Sequence, residues 1–227
     1  MRAGTLYRGD VRFQWKYGFY FLYLVFTLMY VLLLQIFPVD WRTKAAMLMI
    51  FSDPAAIGLF FMGAILQLEK DENTLQSISV SPVRTHEYVL SKLCSLGSIA
   101  TLVALCIGLS GNMIRNPLRF IATVFVGSCL FSAIGMVIAT KTRTLNQFIV
   151  ATIPFELLIN VPAFAYLFGW DHPLMLLHPG SCIMELCLLG NRVVLASLSL
   201  SIWTVGVTLY TVRAVRRYFN TLGGSRP

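Results

Sequence analysis

The residues of this sequence best able to do chemistry are carboxylates inside long apolar runs. Glu156 stands in one such run, with Asn160 four positions on and Pro154 and Pro162 to either side; Asp53 stands in another, followed by Pro54. A charge near the middle of a bilayer costs about 3 kcal/mol or more, so such a group faces protein or a wet cavity. The i, i+4 spacing puts Glu156 and Asn160 on one helix face, and the two prolines predict kinks around them. Together they read as cavity lining, a carboxylate that attracts a cationic or zwitterionic molecule. A protonated, hydrogen-bonded packing residue is the alternative. Ser52-Asp53-Pro54 reads as a kink or local cap, a structural role.

Other reactive groups have weaker contexts. Gly108-Leu109-Ser110-Gly111 matches the Gly-x-Ser-Gly of rhomboid intramembrane proteases, and Trp41-Arg42 echoes a Trp-Arg loop of that family. A serine nucleophile needs a histidine base within hydrogen-bond reach on another span. His86, His172 and His178 all lie outside the apolar runs, which argues against a protease. The five cysteines form no metal pattern; Cys94, Cys106 and Cys129 sit in apolar runs as small packing residues. Cys182 and Cys187 could pair in an oxidising compartment, although i and i+5 on one helix point apart.

The composition says what must position these groups. Of 227 residues, 57% are hydrophobic and only 12% charged, and the mean hydropathy is +0.73. Soluble domains carry roughly twice that charge fraction. The net charge of +8 lies in short segments between apolar runs, a pattern of membrane orientation and anionic lipid rather than nucleic-acid binding. No cleavable signal peptide is expected, because the first apolar run is too long for one.

About 20 apolar residues cross a bilayer core. Six runs qualify, at 18–37, 45–68, 93–110, 120–140, 147–169 and 193–212. With the N-terminus inside, the cytoplasmic segments hold Arg2, Arg8, Arg12 and Lys16; Lys70, Arg84 and Lys92; Lys141 and Arg143; and Arg213, Arg216, Arg217 and Arg226. The outer segments keep Arg42, Lys44, Arg115, Arg119 and Arg192. This asymmetry predicts a multi-pass protein of the cell membrane with both ends in the cytoplasm.

Residues 1–17 predict an amphipathic helix lying on the membrane, with Arg8, Arg12 and Lys16 as its cationic stripe, Leu6, Phe13 and Tyr17 on another face, and Tyr7 and Trp15 at headgroup level. Residues 69–82 predict a short cytoplasmic helix: Glu69, Asp71 and Glu72 suit its N-terminal dipole, Leu75 and Ile78 share a face, and Pro82 stops it. Thr85 then caps the third span. Residues 170–192 hold turn signals and an apolar stretch too short to cross, as in a re-entrant or interfacial helix pair on the outer side.

Leu68-Glu69-Lys70-Asp71-Glu72-Asn73-Thr74-Leu75, then Val80-Ser81-Pro82-Val83 and Glu87-Tyr88-Val89-Leu90-Ser91-Lys92, resemble the membrane subunit of type 2 ABC exporters over nearly the whole chain. Asn73 stands where that family usually has Gly, and both tolerate positive φ. The opening Gly9-Asp10-Val11-Arg12-Phe13-Gln14-Trp15-Lys16-Tyr17-Gly18-Phe19-Tyr20 resembles, more loosely, the fluoroquinolone or multidrug export permeases. The resemblance implies one all-α membrane domain over 1–227: an elbow helix, six spans, a coupling helix at 69–82 and re-entrant helices before the sixth span. It implies export of a hydrophobic or amphipathic substrate (drug, antibiotic, peptide or lipid).

The chain has no Gly-x-x-x-x-Gly-Lys-Ser/Thr phosphate cradle. ATP and Mg would therefore be held by a partner ABC ATPase, present in two copies, and this chain is expected to bind no cofactor or metal and to be no enzyme. A second permease copy, identical or different, would complete the pathway. Glu69, Asp71, Glu72, Thr74, Leu75 and Ile78 are then the expected ATPase contacts, with Lys141 and Arg143 on a second turn. A self-sufficient secondary transporter is the rival; it predicts ion-coupling charges and internal repeats, of which the sequence offers two buried acids and no convincing repeat.

Overall fold

Gly18 separates the first two helices by adopting φ 75°, a left-handed conformation natural to glycine. It turns the chain from α1 (Arg2–Lys16) into α2 (Phe19–Ile36). The computed structural model describes residues 2–52, 58–170, 172–188 and 190–222, where all regular structure is helical. Asp53 and Pro54 lie outside the described residues. There follow α3 (Val39–Ser52), α4 (Gly58–Asp71), α5 (Thr74–Val80), α6 (Thr85–Ser110), α7 (Pro117–Lys141) and α8 (Leu145–Leu167). A short 3-10 turn (Pro173–Leu177) then leads to α9 (Pro179–Cys187) and α10 (Val193–Thr221).

Five helices, α2, α6, α7, α8 and α10, are each long and apolar enough to cross a membrane. The run at 45–68 instead corresponds to two shorter helices, α3 and α4. The start of α3 lies beside the C-terminal end of α6, where a Cβ on Gly111 would stand 2.7 Å from that of Ala46. The end of α4 reaches the opposite end of the bundle, where Lys70 bonds to the last turn of α7.

The spans divide into a centre and a periphery. In α6 and α7, 61% and 67% of the apolar window is buried, against 22% in α2, 22% in α8 and 17% in α10. Close packing at the centre depends on small residues: a Cβ on Gly135 of α7 would stand 2.4 Å from the Leu59 carbonyl oxygen of α4. Helix starts are capped locally. Asn116 accepts from the Arg119 N–H at 3.2 Å, and Thr144 from that of Gln147 at 3.3 Å. The cap expected from Thr85 falls one residue earlier: Arg84 is the N-cap, and its own N–H is held by the Glu87 carboxylate at 3.0 Å.

α1 docks on α6 through polar groups. Tyr7 donates to Ser98 at 3.2 Å and Gln14 to Ser95 at 2.9 Å, while Arg8, Arg12 and Lys16 face outward. The outward cationic stripe follows the sequence reading. Tyr7 is half-buried between α1 and α6. At the other end, every residue of α9 is buried. It packs against α7, α8 and α10. Cys182 and Cys187 are both buried free thiols; the Cys182 thiol donates to the Leu176 carbonyl at 2.9 Å.

Candidate functional site

The end of the bundle that carries α5 concentrates the buried charge. Lys92, two turns into α6, sits 2.6 Å from a Glu69 oxygen and 2.9 Å from an Asp10 oxygen, and is only 2% exposed. Tyr88 donates to the second Glu69 oxygen at 2.6 Å, and Ser91 donates to the second Asp10 oxygen. One ammonium thus ties α1, α4 and α6 together. Charges taken out of water persist only when paired and hydrogen-bonded, which every member here is.

Glu69 is 3% exposed. A surface contact is therefore not its place: the structure turns it inward, and it belongs to the last turn of α4 rather than to the short helix predicted at 69–82. Lys70, the next residue, faces the other way. Its ammonium donates to the Ala139 and Thr142 carbonyls at 2.6 and 2.8 Å, capping the C-terminus of α7 where the helix dipole favours a cation. Gln67 adds contacts to Thr142 at 3.3 and 3.4 Å, and Lys70 lies 5.0 Å from the Tyr218 ring of α10. Glu69 and Lys70 therefore clamp α4 directly to α6, α7 and α10, and through Lys92 to α1.

Beyond the clamp the chain turns sharply. Asn73 adopts φ 57°, the left-handed conformation that the sequence allowed for it. The seven-residue α5 follows, pinned by buried Leu75 and half-buried Ile78 and Thr74. Asp71, Glu72, Gln76 and Ser77 are exposed, and so are Lys141 and Arg143 on the α7–α8 turn. This end is thus a rigidly held, partly acidic projection beside a basic one.

The other predicted residues lie apart from it. Glu156 and Asn160 are half-buried on α8, which runs unbroken through Pro154 and Pro162. The Asn160 side-chain oxygen is buried without a hydrogen bond. Pro162 has no N–H for the Leu158 carbonyl four residues before it, and that carbonyl lies against the His178 imidazole. Ser110 ends α6 with Gln35 donating to it at 3.3 Å, and His86 is at the opposite end of the same helix. Among the described residues, Ser110 has no histidine beside it to act as a base.

Sequence reasoning missed two acids, half-buried Asp10 and buried Glu185. Asp10 gave a signal, as an acid on the helix face opposite the cationic stripe, and Glu185 gave one, as the single acid in the 182–189 apolar stretch. Glu185 accepts from the Tyr166 hydroxyl at 2.6 Å and the Arg192 N–H at 2.7 Å, closing α8, α9 and the start of α10 together.

A chain whose described regular structure is all helical, with five helices long and apolar enough to cross a membrane, has the build of a multi-pass membrane protein. It belongs to the fluoroquinolones export permease protein family, whose profile matches residues 1–219. Two similar proteins are the fluoroquinolones export permease protein Rv2687c of Mycobacterium tuberculosis strain ATCC 25618 / H37Rv and its counterpart MT2761 in strain CDC 1551 / Oshkosh. Each is 29% identical over 171 residues, which is 74% of this chain and 70% of the relative. Membership makes the chain an export permease component of a membrane transporter rather than an enzyme.

Proposed function

We propose that this chain is the transmembrane subunit of an ATP-driven exporter, worked by a separate ATPase that pushes on α5. The observation carrying this reading is the clamp at the base of α5. A motor outside the membrane needs a handle that transmits force, and Glu69 and Lys70 join this one to α1, α6, α7 and α10. The exposed face of the handle is Asp71, Glu72, Gln76 and Ser77, with Thr74, Leu75 and Ile78 holding its shape and Lys141 and Arg143 as the second contact. Glu69 acts as an internal strut.

In this reading the chain crosses six times, α3 and α4 together forming the second crossing, with both ends in the cytoplasm of the plasma membrane. Two permease copies enclose the pathway and two ATPase subunits, carrying ATP and Mg, sit below. α8 is largely uncovered in the single chain, as a helix facing a shared cavity should be, and Glu156 and Asn160 lie on it. The substrate class is an amphipathic drug with a cationic or zwitterionic centre; the names of the mycobacterial relatives point to fluoroquinolones. Closure of the ATPases shifts the cavity between inward-open and closed or outward-open populations.

Co-expression with a candidate ATPase, co-purification and ATP-dependent fluoroquinolone uptake into inside-out vesicles test the reading. A stoichiometric complex with ATP-dependent uptake is expected. Full transport by the chain alone, without ATP, would refute it in favour of a secondary transporter.

A further inference from the structure

The C-terminal part of α10 packs through a buried stripe, Thr211, Val215 and Phe219. Beside that stripe a groove of about 510 Å³ opens between α10 and the α5–α6 turn. Arg84, His86, Arg216 and Asn220 line it, with the hydroxyls of Ser79 and Ser81, and no carboxylate is among its lining residues. Both arginines are exposed, and both ion pairs among the described residues belong to Lys92. Two exposed guanidinium forks form an environment for an oxyanion, which arginine binds through paired N–H donors, while the Ser79 and Ser81 hydroxyls already donate to the Gln76 and Ile78 carbonyls.

The surface leading to the groove narrows the choice of anion. Val205, Leu209, Val212 and Arg216 follow at spacings of four, three and four, so they occupy one face of α10. Val205 is 60% exposed and Leu209 53%; across the groove Leu90, one turn beyond His86 on α6, is 47% exposed. From Val205 to Arg216 the helix rises about 16 Å, close to the hydrocarbon depth of one leaflet. Cations therefore stand at headgroup depth at the end of an apolar strip as long as an acyl chain. A free phosphate would make no use of the strip, and an acidic peptide none of its length.

We propose that this groove binds the headgroup phosphate of an anionic phospholipid, with acyl chains along Val205, Leu209 and Leu90. The site needs the membrane setting but not the export reading, so its failure leaves that reading standing.

The purified full chain in neutral detergent is titrated with dioctanoyl phosphatidylglycerol, dioctanoyl phosphatidylcholine and inorganic phosphate. Melting temperature is followed, and native mass spectrometry counts retained lipid. Phosphatidylglycerol should raise the melting temperature saturably and remain bound. The double substitution Arg84→Gln, Arg216→Gln should weaken it about tenfold or more, whereas Arg115→Gln, at the opposite end of the bundle, should not. Arg216→Glu, at an exposed position, is a second variant that should abolish the shift. An equal response to phosphatidylcholine, undiminished affinity in both groove variants, or the same saturable response to phosphate alone overturns the proposal.

Discussion

Lys92 is an ammonium inside a helix otherwise fit to cross a membrane, and its two carboxylates explain why it is tolerated. Removing it leaves buried Glu69 and half-buried Asp10 near each other with no cation, and breaking one side of a buried pair typically costs about 3–5 kcal/mol. Lys92→Met should therefore lower the melting temperature of the purified protein more than any substitution at the exposed acids Asp71 or Glu72. Adding Glu69→Gln and Asp10→Asn to Lys92→Met should recover part of the loss, because the uncompensated charges go with it. A Lys92→Met protein as stable as the parent would show that the network carries no structural weight. Little of this was legible in the sequence. Glu69 stood out as an acid beside a loop, but its lysine partner is 23 residues away, and that lysine's second carboxylate is 82 residues from it. A count of charges per loop reads Lys92 as an orientation signal, since the count contains no depth.

Between Asn73 and Val80 the short helix is too brief to be stable alone, so its position depends on what holds its ends. Leu75 anchors it from within, and Lys70, one turn before, locks α4 to the carbonyls ending α7. Asp71 and Glu72 are exposed, and neither makes a hydrogen bond in that clamp. The double reversal Asp71→Lys, Glu72→Lys should leave the stability within about 0.5 kcal/mol of the parent, as exposed substitutions usually do. In the co-expressed complex it should sharply reduce drug-stimulated ATPase activity; unchanged stimulation would remove α5 from the motor contact. Lys70→Met, by contrast, strips a charged donor from two carbonyls and should cost about 1.5–3 kcal/mol in thermal or denaturant unfolding. Five spans were legible because an apolar run of membrane length has almost no use except to cross a bilayer, whereas the run at 45–68 divides between α3 and α4; α9 was legible because its run was too short. The docking of α1 was not: its inward face is polar, and hydrogen bonds to Ser95 and Ser98 leave no periodicity to read. Nor was the junction of α4 with α5, where one continuous stretch of loop-like sequence divides into a strut and a projection.

Both described ends of the chain lie at the same end of the bundle. α1 packs on the first half of α6, and Phe219 of α10 touches Tyr88 there, with ring centres 5.4 Å apart. In the topology proposed above the number of crossings is even, with α3 and α4 together as the return after α2, whose far end is where Gln35 meets Ser110. The same end gathers Arg84, Lys141, Arg143, Arg213, Arg216 and Arg217, and the proposed topology, following the positive-inside rule, has it facing the cytoplasm. Single cysteines introduced at Asp71 and Asn146 in a variant lacking the native thiols should then react with a membrane-impermeant maleimide in inside-out vesicles and stay silent in intact cells. Cysteines at Asn112 and Leu174 should do the reverse. This pattern does not depend on substrate or on which ATPase is the partner, so it tests the architecture alone. The opposite pattern would place α5 where no ATP-driven motor can reach it, and the handle would lose its purpose even with every helix in its place.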